Sequence, residues 1–95
     1  MEIQTKLIKS NAEEINSFIS DLETEYNKIT TSINDLKKGW DGNRANEFYK
    51  ELEQNYLPDL KKSIGKLKDY YDFLSSVPKA YEKLDESYKN KKIEV

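Results

Sequence analysis

The side chains that most often carry chemistry are thinly represented in this chain. It contains no His and no Cys, so the commonest general acid-base group, the Ser-His and Cys-His nucleophile systems, and thiolate or imidazole metal sites are all missing. Carboxylates remain, and Glu13/Glu14 and Asp85/Glu86 form adjacent pairs. Catalytic carboxylates need a pocket, however, and a charged helical surface gives such pairs a solvated face instead. Gly39, Gly42 and Gly65 are too scattered for a phosphate-cradling loop, and none follows a strand pattern. No catalytic residue, metal ligand or cofactor site is assigned, and the expectation is a protein without enzymatic activity.

Two short constellations fit recognition rather than catalysis. In Trp40-Asp41-Gly42, a single Trp stands at the end of an apolar stripe and a Gly follows within the chain reversal. An indole can cover the open end of a helix pair while its N–H still reaches water or a carbonyl, and Gly reverses the backbone without a Cβ clash. On these residues alone Trp40 serves equally well as a hydrophobic plug or as a recognition group. In Tyr81-Glu82-Lys83-Leu84-Asp85, Tyr81 and Asp85 lie one helical turn apart, so an aromatic ring and an acceptor share one face. Tyr81 also continues the stripe of Leu74 and Tyr88, which makes a core role its competing reading. Tyr49 to Glu53 has the same Tyr-x-x-x-acid form but falls in the first turns of the second helix.

The elements that hold these groups are legible from periodicity. One set of positions seven apart contains Ala12, Ile19, Tyr26, Ile33 and Trp40, and a second contains Ile8, Ile15, Leu22, Ile29 and Leu36. The sets alternate by four and three, the signature of a helical seam, and no Pro or Gly interrupts it before Gly39. Lys37-Lys38-Gly39 favours a stop, with cations against the helix dipole and a Gly able to take positive φ. Asp41 and Asn43 are candidate N-caps for the next helix. That helix carries Ala45, Phe48, Tyr49, Leu52, Tyr56, Leu60, Ile64, Leu67, Tyr70, Tyr71 and Leu74, again at threes and fours. Pro58 should bend it, since proline lacks a donor and crowds the carbonyl of Gln54. Ser75-Ser76-Val77-Pro78 should end or kink it near residue 76.

The resulting expectation is an all-α fold of one domain over residues 1–95. Helix 1 covers about 5–38, the turn 39–43, helix 2 about 44–76, and a tail 77–95 carries Tyr81 and Asp85. Two long helices joined by a short turn run antiparallel, and dimerisation into a four-helix bundle would cover the stripe that one hairpin leaves open. The seam of that hairpin or dimer is assigned to Ile15, Ile19, Leu22, Tyr26, Ile29, Ile33, Leu36, Leu52, Tyr56, Leu60, Leu67 and Leu74.

Composition agrees. Hydrophobic and charged residues each make up 36 % of the 95 residues and mean hydropathy is -0.95, which suits solvated helices with a narrow apolar stripe. The chain has a net charge of -2 and neither half is basic, which argues against nucleic acid as a partner. A cationic membrane-surface helix is disfavoured because the first half, with five Lys against seven Asp or Glu, is acidic. The first ten residues lack the continuous apolar run of a cleavable signal, and nothing approaches a membrane span.

A chain of this size with two equal helical halves and Trp40-Asp41-Gly42 in the connecting turn resembles the WXG100 (ESX) family of small type VII secretion proteins. Tyr81 and Asp85 match the Tyr-x-x-x-Asp/Glu signal that this family often carries after its second helix. The resemblance implies synthesis in the cytoplasm and export in the folded state, without a cleavable signal, as a homo- or heterodimer. It implies as partners a second copy, a related small helical protein or the helical N-terminal domain of a larger type VII effector, and a membrane-bound secretion ATPase that reads Trp40, Gly42, Tyr81 and Asp85. Virulence or competition between bacteria is the setting it suggests, and no small-molecule substrate is implied. The competing expectation is a coiled-coil adaptor that is not secreted, for which the Tyr81/Asp85 pair would have no purpose.

Overall fold

The computed structural model describes the backbone of residues 4–93 and the side chains of 4–86. Helix α1 spans Thr5–Leu36, α2 spans Asn43–Glu51 and α3 spans Leu57–Ile93, with a π-helical turn over Leu52–Tyr56 joining α2 to α3. From Asn43 to Ile93 the backbone is therefore helical without a break, and α2, the π-turn and α3 form one second arm. No strand occurs among the described residues, so the fold is all-α. The molecule measures 79 × 17 × 17 Å, the proportions of a rod about two helices thick.

Cross-arm ion pairs set the register. Lys9 Nζ lies 2.9 Å from Glu82 Oε1, Lys68 Nζ lies 3.6 Å from Glu23 Oε1, and Lys37 pairs with Glu53. A step of fourteen from Lys9 to Glu23 is matched by a step of fourteen back from Glu82 to Lys68. The second arm thus returns along α1, and residue n of α1 is level with residue 91 − n. The pairs mark the register more than they stabilise it, because exposed ion pairs contribute only about 0–1 kcal/mol each.

Among the described residues the buried apolar ones are Ala12, Ile19, Ile33, Ala45, Tyr49, Leu57, Ile64 and Pro78. Ile33, Ala45, Tyr49 and Leu57 form one cluster, against which Tyr26, Ile29 and Leu52 pack. The rest of the expected seam is less deeply covered. Ile15, Leu22, Leu60, Leu67 and Leu74 are half-buried, while Leu36 and Tyr56, at 40 % and 47 % exposed, face outward.

Three sequence-based boundaries are corrected, and the second helix continues through Pro58 as expected. Helix α1 ends at Leu36 rather than 38, because the Gly39 and Trp40 amides both donate to the Leu36 carbonyl, at 3.0 and 2.8 Å, and tighten the final turn. The second helix begins at Asn43, with Gly42 as its N-cap in place of Asp41 or Asn43, and the Asn46 amide donates to the Gly42 carbonyl. Pro58 is accommodated by the π-turn just before it. There the Leu57 amide reaches back five residues to the Leu52 carbonyl, widening the helix where a proline would otherwise crowd the preceding turn. Finally, no break occurs near residue 76: α3 runs through Pro78, whose ring is fully buried. Pro78 stands almost level with Ala12, also buried, and burial at this small-residue position offsets the lost backbone bond. Residues 77–86 are therefore part of α3 rather than a separate tail. Tyr88 lies outside the described side chains, as does the end of the expected tail.

Candidate functional site

The chain reversal is built on Gly42 and Tyr49. Gly42 has φ 108°, a left-handed value that a side chain would strain. Gly39, the residue expected to supply such a conformation, does not adopt one. Tyr49 is buried in the core cluster, and its hydroxyl donates to the Trp40 carbonyl at 2.6 Å. That bond ties the segment between α1 and α2 to α2 itself. Around it, the Trp40 ring centroid lies 5.5 Å from Phe48 and 5.7 Å from Tyr49, and Phe48 and Tyr49 are 6.1 Å apart. The tilted and edge-on geometries suit the ring quadrupoles. Lys37 Nζ stands 5.5 Å from the Tyr49 centroid, a further cation–π contact. Trp40 and Phe48 are each 40 % exposed, so the triad is anchored by Tyr49 and presents the other two rings at the surface.

The π-turn makes this arrangement possible. Leu57, Ile64, Tyr71 and Pro78, seven apart, point inward along α3. Extending that phase back through an unbroken α-helix would turn Asn46, Lys50 and Glu53 inward. One extra residue in the π-turn rotates the upstream segment by about 100°, and Ala45, Tyr49 and Leu52 face the core instead. The same shift gives Leu57 the inward place expected of Tyr56.

Beside the triad lies an open groove of about 700 Å³ whose apolar wall is Ile29, Ile33, Leu36, Phe48, Leu52 and Tyr56, with Asp21, Glu25 and Lys28 on its rim. On the opposite side of the arms a smaller hollow of about 340 Å³ surrounds Tyr26, Ile64 and Gly65, rimmed by Glu23, Lys61 and Lys68.

Tyr81 is half-buried and Asp85 exposed, one turn apart on α3. They lie at the far end from Trp40, Asp41 and Gly42, roughly 60 Å along the second arm at 1.5 Å per residue. Within one chain the two motifs do not meet. Phe48 and Tyr49, which periodicity places on the apolar stripe of the second helix, were not assigned to the turn; an aromatic pair following closely on a Trp at a chain reversal is the signal that points to them.

Among the described residues no group of three or more His, Cys, Asp or Glu is placed to hold a metal ion, and no helix is long and apolar enough to cross a membrane. Compared with protein-family models, curated proteins and solved structures, the chain matches none.

Proposed function

We propose that this chain is a WXG100-like substrate or targeting partner of a type VII (ESX) secretion system, exported folded and without enzymatic activity of its own. The carrying observation is the Trp40-Asp41-Gly42 turn, ordered by Tyr49 and displaying Trp40 between two helical arms. In this reading the antiparallel helical hairpin is the unit, and it closes with a second hairpin into a four-helix bundle. The second hairpin is another copy, a related small helical protein, or the helical N-terminal domain of a larger effector. An end-for-end arrangement sets Trp40 and Gly42 of one chain near Tyr81 and Asp85 of the other, and a membrane-bound secretion ATPase reads the composite surface. The distance between the motifs along one chain supports this division of labour, because a single hairpin cannot present both at one place.

The test is secretion from the cell that makes the protein, with and without the ATPase. Release should require the ATPase and should fail for Trp40→Ala and for Tyr81→Ala with Asp85→Asn, while the variants keep their helicity. Appearance in the medium regardless of the ATPase would sink the proposal.

A further inference from the structure

The peptide unit that joins Asp41 to Gly42 is the least committed part of the chain reversal. On one side the Trp40 carbonyl accepts from the Tyr49 hydroxyl at 2.6 Å, and on the other the Gly42 carbonyl accepts from the Asn46 amide at 2.9 Å. Between these fixed points, and among the described residues, the Gly42 amide donates to no carbonyl and the Asp41 carboxylate enters no ion pair and no helix cap. Local sequence accounts for both. Gly42 caps α2 without a side chain, so Asp41 stands one residue too early to do so. The third helical position, which in a capping box carries the Glu or Gln that takes the N-cap amide, is Ala45. Asp41 and Gly42 are both exposed.

A carboxyl carbon and the amide nitrogen of the following residue can close into a cyclic imide. Gly hinders that attack least, having no Cβ beside the nitrogen and a backbone that turns freely. Every other Asp or Asn of the chain lies within α1, α2, the π-turn or α3. There φ and ψ are fixed and, past the first turn, the next amide is bonded to an upstream carbonyl. Asn43, in a first turn, is followed by Arg44, whose side chain stands in the way.

We infer that Asp41 is a self-modification site: it isomerises through the imide to an isoaspartyl residue, whose free α-carboxylate is a substrate for an S-adenosylmethionine-dependent carboxyl methyltransferase. The Gly42 nitrogen bonds to Asp41 Cγ, and the carboxyl hydroxyl leaves with the amide proton as water. Water then opens the ring. Attack at Cγ restores Asp41. Attack at the Asp41 main-chain carbonyl breaks its bond to the Gly42 nitrogen and routes the backbone through Cβ and Cγ. The water lost is regained, so the mass is unchanged and no oxidant is needed. The product has one more backbone carbon between Trp40 and Gly42. With the carbonyls on both sides anchored, the added length displaces either the Tyr49 bond or the Gly42 cap, and the exposed Trp40 ring moves with it. A newly made chain and an aged one therefore present different turns, whatever the protein's partners are.

The test uses the purified full-length protein, helical by circular dichroism and kept warm at neutral pH beside a peptide of residues 38–46. With an isoaspartyl methyltransferase and S-adenosylmethionine, the aged wild type should accept up to one methyl group per chain. Fragmentation spectra should place the isoaspartyl bond at residue 41. Asp41→Glu, which would need a larger ring, should lose the signal. Asp41→Asn should gain it faster, since ammonia leaves the same ring closure more readily than water. Conversion should shift Trp40 emission, while that of Asp41→Glu stays constant over the same period. A helical wild type with no isoaspartyl bond at 41 once the peptide is mostly converted would overturn the inference. So would methyl acceptance undiminished in Asp41→Glu. Unchanged Trp40 emission in the converted chain would overturn the displacement of the turn's anchors.

Discussion

The two ends of the rod are held in different ways. At the turn end, Tyr49 is sunk in a cluster with Ile33, Ala45 and Leu57, and bonds the Trp40 carbonyl. At the open end, the fully buried residues among those described are Ala12 and Pro78, with Ile8, Leu74 and Tyr81 half-buried, and an exposed Lys9–Glu82 pair spans the arms. One end is organised by buried aromatic packing and a left-handed glycine. The other is organised by small residues and a solvated ion pair. The difference teaches where the fold is specified: the reversal is fixed by a buried aromatic and a left-handed glycine, whereas among the described residues the open end relies on shallower packing.

Substitutions can break or sharpen this contrast. Tyr49→Ala should have the largest effect, costing about 3 kcal/mol as a buried aromatic truncation. Denaturant titration followed by circular dichroism measures it, and a loss below about 1 kcal/mol would remove the turn end's claim to be the anchor. Next comes Gly42→Ala, expected to cost about 1–2 kcal/mol because an L side chain is strained at positive φ. Nothing lies within 4 Å of a Cβ built there, so the effect isolates backbone strain from clash. Tyr49→Phe keeps the packing and removes only the bond to the Trp40 carbonyl, for about 1 kcal/mol, with a change in Trp40 fluorescence as its local readout. Smallest is Lys9→Ala at the open end, at about 0.5 kcal/mol or less. A thermal midpoint as strongly lowered as that of Gly42→Ala would show that the two ends are held alike.

Periodicity carried much of this architecture. The alternation of Ile15, Ile19, Leu22, Tyr26, Ile29 and Ile33 defines α1, and the breaker at Lys37-Lys38-Gly39 places the reversal within a few residues. What escaped was phase and compensation. Leu52, Tyr56, Leu60 and Ile64 are spaced by three successive fours, a drift that a straight helix cannot keep on one face; the chain resolves it with a π-turn and buries Leu57. Pro78 carries an intrinsic penalty that local rules read as a stop, but those rules do not include the burial of its ring. At the candidate site, Trp40 and Gly42 were legible because their types are rare and their position is central. Tyr49 was not, because its role depends on a rotation introduced several residues downstream. Tyr81 and Asp85 were placed correctly on one helical face, though as part of α3.

The π-turn also has a consequence for lineage and engineering. It behaves as one surplus residue stored between two segments that each keep their own frame. Removing a single residue such as Gln54, with Pro58→Ala so that no ring crowds the relaxed turn, should give ordinary α-helix while Tyr49 stays beneath Trp40 and Ile64 stays against α1. The same loss on either side of the turn would put one segment out of step. The second arm therefore has a built-in place where its length can change by one without cost to its faces, and it lies directly beside the groove.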